Sequence, residues 1–247
     1  MMGKKIKIKN YKVVIICMIV KTRVKVYPDG TKKYIVYENP FAVGYEKDPI
    51  IGKEKTDVSD EEKERNEYMN MVRRRTKIYD YIYSNHFEYF ITFTFSPDKV
   101  ERYDYDEVSS KLDNWLRYMR KKYGKFRYVI VPEYHEDKAY HFHAVVGGFA
   151  GRMIDSGKVF KGQIVYNVQD WRYGWSTATE IRNKDKIASY VTKYITKAFD
   201  EKCVPKGKKN YWSSVGLKLP VIENMDTVPE FDKEPDWLND NVKIYVY

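Results

Sequence analysis

The stretch Tyr128-Val-Ile-Val-Pro-Glu-Tyr-His-Glu-Asp-Lys-Ala-Tyr-His-Phe-His-Ala-Val-Val146 decides how the rest of the chain is read. Residues 126–134 are rich in Tyr, Val and Ile, and residues 140–146 repeat that character. Polar His135, Glu136, Asp137 and Lys138 lie between them, so the pattern predicts strand, turn, strand. Centring the turn on Asp137 sets Glu133 opposite His141 and Val131 opposite His143. All four then share one face, because side chains alternate across a strand. Two imidazoles and one carboxylate are expected to converge there, a donor set that suits a metal ion and leaves positions for water and a phosphate oxygen. The competing reading is a pair of ordinary hydrogen-bonded strand histidines, because His-x-His is a short pattern. The carboxylate opposite shifts the balance toward a metal, since the chain holds only 4 His.

Moving upstream, Phe90-Ile-Thr-Phe-Thr-Phe95 alternates cleanly, with Phe90, Thr92 and Thr94 on one face and Ile91, Phe93 and Phe95 on the other. This predicts an inner strand. Val108, Leu112, Trp115, Leu116, Met119 and Tyr123 recur at helical spacing, so residues 105–123 are expected to form an amphipathic helix packed on a sheet. Ser59 and Glu62 make a capping box for a helix reaching about Tyr83. Arg73, Arg74, Arg75 and Lys77 crowd its middle and read either as a solvated face or as a phosphate-binding stripe. Residues 11–37 read as a hairpin turned by Pro28-Asp29-Gly30, and residues 38–58, with Pro40, Gly44, Pro49 and Gly52, as a linker.

Downstream, Gly147-Gly148 and a basic connection lead to strand candidates at 160–168 and 174–182. Asn183 is the expected N-cap of a helix from Lys184 to about Phe199. On that helix Tyr190, Lys193, Tyr194 and Lys197 share one stripe, and Ile187, Val191, Ile195 and Ala198 form the adjoining apolar one. Alone, the polar stripe is also compatible with a surface helix of half-buried Tyr and extended Lys. Lys206, Lys208, Lys209, Tyr211 and Trp212 interleave charge and aromatic surface in a way that suits a single-stranded nucleic acid. Residues 221–247 are acidic and read as a solvated tail or a cover for the core. The expected domains are therefore an N-terminal hairpin extension with its linker (1–58), a main domain (59–220) and an acidic C-terminal tail (221–247).

Lys plus Arg number 45 against 35 Asp plus Glu in 247 residues, a formal charge of +10 that favours a polyanionic partner, nucleic acid first. The 24 Tyr supply rings that fill cores or stack on unpaired bases. Cys17 and Cys203 are too few for a disulfide framework and carry no metal-site spacing, which fits a reducing interior. The apolar run Tyr11 to Val20 is shorter than the about 20 residues that span a bilayer, and it continues as alternation through Lys21 to Val26. A cytoplasmic strand with no membrane segment is the expectation.

Taken together, the strand Phe90–Phe95, then Glu133 with His141-Phe-His143, then Tyr190-x-x-Lys193-Tyr194-x-x-Lys197 resemble the three ordered motifs of HUH endonucleases that initiate rolling-circle replication. Relaxases of that superfamily place their tyrosines before the His-x-His strand, whereas initiators and small transposases place them after it, as here. The paired tyrosines one helical turn apart resemble those of initiators from small single-stranded DNA phages and related plasmids or prophages. The resemblance covers residues 65–220, roughly. It implies an α+β fold, ferredoxin/RRM-like, with a central antiparallel sheet, flanking helices and the tyrosine helix across the His-x-His strand.

By the same resemblance Glu133, His141 and His143 hold Mg²⁺ or Mn²⁺. Tyr190 or Tyr194, assisted by Lys193 and Lys197, attacks a phosphate of single-stranded origin DNA, giving a 5′-phosphotyrosine and a free 3′-OH. Thr92, Thr94, Arg73, Arg74, Arg75, Lys206, Lys208, Lys209, Tyr211 and Trp212 are the expected DNA contacts. No G-x-x-x-x-G-K-[ST] occurs, so a separate host helicase and polymerase are implied. The alternatives are a transposase of the same superfamily acting at element ends and a non-catalytic nucleic-acid-binding regulator.

Overall fold

The computed structural model describes residues 18–43 and 59–247, which fall into two compact units. One comprises Met1–Val26, Gly30–Asp57 and Val221–Tyr247, and the other comprises Tyr27–Asp29 and Val58–Pro220. The fold is α+β, with an antiparallel sheet in each unit.

In the first unit, β1 (Met18–Val26) and β2 (Lys32–Val43) form the expected hairpin, with Gly30 at φ 89° in its turn. Two expectations are corrected here. Residues 38–43, read as linker, continue β2, and the register shifts between Val20 and Thr22 so that Pro40 falls in a bulge, where the missing N–H costs no ladder bond. Residues 221–247, read as a tail or cover, supply β10 (Val221–Met225), β11 (Trp237–Leu238) and β12 (Val242–Val246). The sheet order is β10-β1-β2-β12-β11. The acidic residues of this segment sit between its strands and drew the reading away from the alternation of Val242, Ile244 and Val246. The expectations for residues 11–17, including Cys17, and for the linker at 44–58 lie outside the described residues.

The second unit carries α1 (Asp60–Ser84), β3 (Tyr89–Phe95), α2 (Tyr105–Tyr123), β4 (Arg127–Tyr134), β5 (Tyr140–Gly147), β6 (Met153–Phe160), β7 (Gln163–Val168), β8 (Gly174–Glu180), α3 (Lys184–Asp200) and the short β9 (Trp212–Ser213). The helix caps are those the sequence implied: Ser59 Oγ accepts from Glu62 N at 3.2 Å, and Asn183 Oδ1 accepts from Lys186 N at 2.8 Å. The strand expected at 160–168 is broken by a two-residue turn, with Lys161 at φ 47° and Gly162 at φ 71°, and β6 occupies what was read as a basic connection. Lys at the first turn position hides a hairpin that Asn-Gly would have announced.

The sheet order is β6-β7-β8-β3-β5-β4-β9, so β3 and β5 are both inner strands. Ile91, Phe93, Phe95, Ile130, Phe142 and Ala144 pack with Val108, Leu112, Trp115 and Met119 of α2 on one side. Val129, Val131 and Val145 pack with Met71, Ile78 and Ile82 of α1 and Ala188, Val191 and Ile195 of α3 on the other. Alternating strand residues thus serve two cores, and the polar members of the second face are left for chemistry. Among the described residues no helix is long and apolar enough to cross a membrane.

Candidate functional site

The β4–β5 register pairs Glu133 with His141 and Val131 with His143, as the hairpin pattern implied. The turn is held by Asp137, whose carboxylate accepts from Ala139 N at 3.0 Å and pairs with Arg102 at 2.9 Å, while Lys138 takes φ 67°. On the other side of β5, Thr94 lies opposite His141 and Thr92 opposite His143. Strand register alone therefore gathers Glu133, His141, His143, Thr92 and Thr94 on one patch, and α3 runs over it.

His143 is buried and fully engaged. Its Nε2 bonds Glu133 Oε2, and its Nδ1 lies 3.1 Å from Thr92 Oγ1. A carboxylate only accepts, so the ring proton sits on Nε2 and Thr92 donates to Nδ1. The Tyr194 ring stacks on the imidazole with centroids 3.9 Å apart, and Phe90 lies parallel to it at 5.6 Å. Glu133 Oε1 accepts from Lys197 Nζ at 2.5 Å. Burial alone pushes the Glu133 carboxyl up, but the bonds from His143 and Lys197 outweigh it and hold the group below its ordinary range; the same contact raises Lys197.

His141 shares the face, yet its ring stacks on His135 with centroids 4.7 Å apart. Burial, followed by the charges of His135 and His143, pushes its pKa down to about 4. It is therefore a neutral imidazole at physiological pH, with a lone pair available to a cation. The expected convergence is corrected in one respect: among the described residues no three His, Cys, Asp or Glu side chains are gathered as a ready metal site. Glu133 leans diagonally to His143 and to an ammonium, because a half-buried carboxylate turns to the strongest donors in reach. As a donor set the residues fit a divalent ion, with one ionised carboxylate and two imidazoles, one of them held neutral, on a single face.

The tyrosines of α3 meet over this patch. Tyr194 Oη donates to Tyr190 Oη at 2.5 Å, and the Tyr190 ring also meets Phe90 edge-on at 5.5 Å. Tyr194 is half-buried, and burial, the bond to Tyr190 and the charge of Glu133 all raise its pKa. Tyr190 is 45% exposed and Lys193 beside it is exposed. The stripe Tyr190, Tyr194, Lys197 thus lies on the imidazole and carboxylate side of the helix, as its spacing implied.

The expected DNA contacts divide. Thr92 and Thr94 line the patch. Arg73 and Arg75 are exposed on α1, and half-buried Arg74 has an Nε with no hydrogen-bond partner, but no hydrogen bond or ion pair joins these arginines to the patch among the described residues. Lys206, Lys208 and Lys209 are exposed and pair with Glu67 at 3.8 Å, Asp106 at 2.8 Å and Asp113 at 3.6 Å. Tyr211 is half-buried against the α1/α3 core. Trp212 is corrected outright: it is 1% exposed, pairs in register with Ile130 and donates Nε1 to Asp113 at 2.8 Å, so no base can reach it. Its apolar ring filled the core because β9 closes the sheet edge there. Cys203 is free and buried, and burial first of all pushes its thiol up to about 12, consistent with no chemistry.

The sequence reading missed His135, which packs on His141, and Phe90 as a partner of His143. The signal for His135 was its place in the same hairpin; for Phe90 it was the face shared with Thr92. Comparison with curated proteins and with solved structures gave no match. Residues 88–199, which enclose β3, the β4–β5 hairpin and α3 to Phe199, match the model of the replication-associated protein ORF2 family, a similarity that supports a role as a replication initiator.

Proposed function

We propose that this protein is a rolling-circle replication initiator of the HUH type, which nicks single-stranded origin DNA and rejoins it through a 5′-phosphotyrosine. The observation that carries this reading is the bonded pair Tyr190 and Tyr194 lying over the His143–Glu133 pair. Glu133, His141 and His143 would hold Mg²⁺ or Mn²⁺, which supplies positive charge for a scissile phosphate. For His143 to ligate through Nε2, its proton moves to Nδ1, which then donates to Thr92 Oγ1 and fixes the ring.

Tyr190 is the first nucleophile in this reading. An ordinary phenol has a pKa of about 10 and is mostly protonated at neutral pH. Tyr190 Oη accepts the hydrogen bond of Tyr194, which stabilises negative charge on Tyr190, and its exposed ring lets the proton leave to water. The phenolate oxygen bonds to phosphorus, the bond from phosphorus to the 3′ oxygen breaks, and that oxygen leaves as a 3′-OH after taking a proton. Tyr194 stays protonated until Tyr190 is occupied and then serves the second cut. Helicase and polymerase come from the host in this scheme.

The test is a nicking assay on single-stranded DNA from the gene's own replicon with Mg²⁺ present. Wild type cuts at one position and His143→Ala does not, although it still binds, because phosphate contacts carry most of the affinity. Cutting by His143→Ala in chelator-treated buffer overturns the metal assignment. Binding by wild type without any cutting leaves a non-catalytic nucleic-acid-binding protein.

A further inference from the structure

Trp175 is the large side chain of the site face that the nicking scheme leaves unused. Three other tryptophans of this unit are buried with their Nε1 groups bonded: Trp115 to Asp170 O at 3.1 Å, Trp171 to Thr94 O at 3.0 Å and Trp212 to Asp113. Trp175 is 61% exposed, and among the described residues no ring, cation or hydrogen bond engages its side chain.

Its place is set by register. Trp175 lies opposite Thr94 across β8 and β3, Thr94 lies opposite His141 across β3 and β5, and His141 lies opposite Glu133. One cross-strand row therefore reads Trp175, Thr94, His141, Glu133, and all four point to the same face. Adjacent strands are about 4.8 Å apart, which puts Trp175 about 10 Å from His141 along the row. The next row begins with exposed Thr177 opposite Thr92. Gly174 fixes this alignment, because a Cβ there would stand 2.2 Å from Thr94 O and 2.6 Å from Ser96 N, so only glycine lets β8 close on β3 at this point.

An exposed indole beside two threonine hydroxyls, in line with imidazoles and a carboxylate, offers a flat π-face and small donors to a planar ligand. In a chain of net charge +10 that ligand is an unpaired nucleobase. We propose that Trp175 is a stacking platform for a base of the DNA strand near the cut, in a subsite floored by Thr94 and Thr177. The proposal rests on this face being where a single strand lies. Stacking there fixes which phosphate stands over His141 and His143, so Trp175 is a positioning residue and takes no part in bond making.

The experiment uses the full chain with oligothymidylate and with the same oligomer carrying one abasic nucleotide walked along it. Wild type binds, and Trp175→Ala binds about ten-fold more weakly while Trp175→Phe keeps most of the affinity. At one position the abasic nucleotide weakens wild type about as much as the Ala substitution does, and it weakens Trp175→Ala no further. Circular dichroism of the Ala variant matches wild type, since the side chain is exposed. Equal affinity of wild type and Trp175→Ala, an abasic penalty that is the same in both at every position, or no binding by wild type overturns the proposal. Binding is read without cleavage. A wild type that stacks but never nicks thus defeats the nicking reading alone, and a wild type that nicks with an unaffected Trp175→Ala defeats this one alone.

Discussion

The two faces of the seven-stranded sheet are made from alternate residues of the same strands, and they are filled by opposite rules. On β3 and β5, Ile91, Phe93, Phe95, Phe142 and Ala144 enter a core with α2 in which Trp115 and Trp171 lie within 4.8 Å and 4.6 Å of Phe93, ring to ring. One step along each strand, Thr92, Thr94, His141 and His143 meet Glu133 and the α3 tyrosines instead. The first face is mostly apolar and is held by buried area. The second pairs its polar groups with one another, and those contacts exchange readily for a ligand. A protein that must be rigid under a reactive site can separate the two demands by parity along a strand.

The sharpest way to break this comparison is to change neighbours. His143→Ala removes a side chain of the polar face, and cleavage falls by at least about a thousand-fold while stability changes by less than about 2 kcal/mol. Phe142→Ala, one residue earlier, empties a fully buried site and lowers unfolding stability by about 3–5 kcal/mol, with activity per folded molecule retained at low temperature. Chemical denaturation beside a nicking assay checks both. If Phe142→Ala abolished chemistry in the folded protein, the division of labour would be wrong.

How much of this was legible beforehand follows from the same parity. Alternation in Phe90–Phe95 and 128–146 is a local signal, so register, the shared face of Glu133, His141 and His143, and the α3 stripe were all readable. Where side chains turn within that face is decided by long-range partners: Lys197 comes from 64 residues away to take Glu133, and His135 leaves the turn to pack on His141. Trp212 misled for a related reason, since a ring among lysines reads as a nucleic-acid contact unless the sheet edge it closes is known. The strands of 221–247 were hidden by their acidic flanks, and β6 by a turn whose first residue is Lys161.

A smaller effect sharpens the account of the α2 face, whose buried acidic anchor is Asp170. Burial raises its carboxyl, but the bonds from Lys122 at 2.8 Å and Tyr123 at 2.9 Å outweigh this and lower it below its ordinary value of 3.8. A depressed folded pKa stabilises above the unfolded value and is lost as pH falls through the folded one. Asp170→Asn therefore costs about 1–2 kcal/mol near neutral pH, discounted because Lys122 is partly exposed, and the difference from wild type closes below about pH 4. Denaturation midpoints at several pH values read this directly; a gap that widens in acid would have the wrong sign.

The smallest expected changes concern salt. If Arg73 and Arg75 touch phosphates, each Ala substitution lowers the log-log salt slope of single-strand binding by about 0.7. Lys208→Ala changes it less, because Asp106 already holds that ammonium. Equal changes at all three positions would show that the ion pair gives way to DNA.

The central claim is that covalent chemistry occurs on the polar face through the α3 tyrosines, and mass mapping of the DNA-linked peptide tests it most directly. After reaction with a cut single strand, protease digestion places the adduct on the peptide bearing Tyr190 and Tyr194. Tyr190→Phe and Tyr194→Phe each retain an adduct on the remaining tyrosine at a reduced rate, and the double variant forms none. An adduct on any other of the 24 tyrosines, or one that survives in the double variant, contradicts the account.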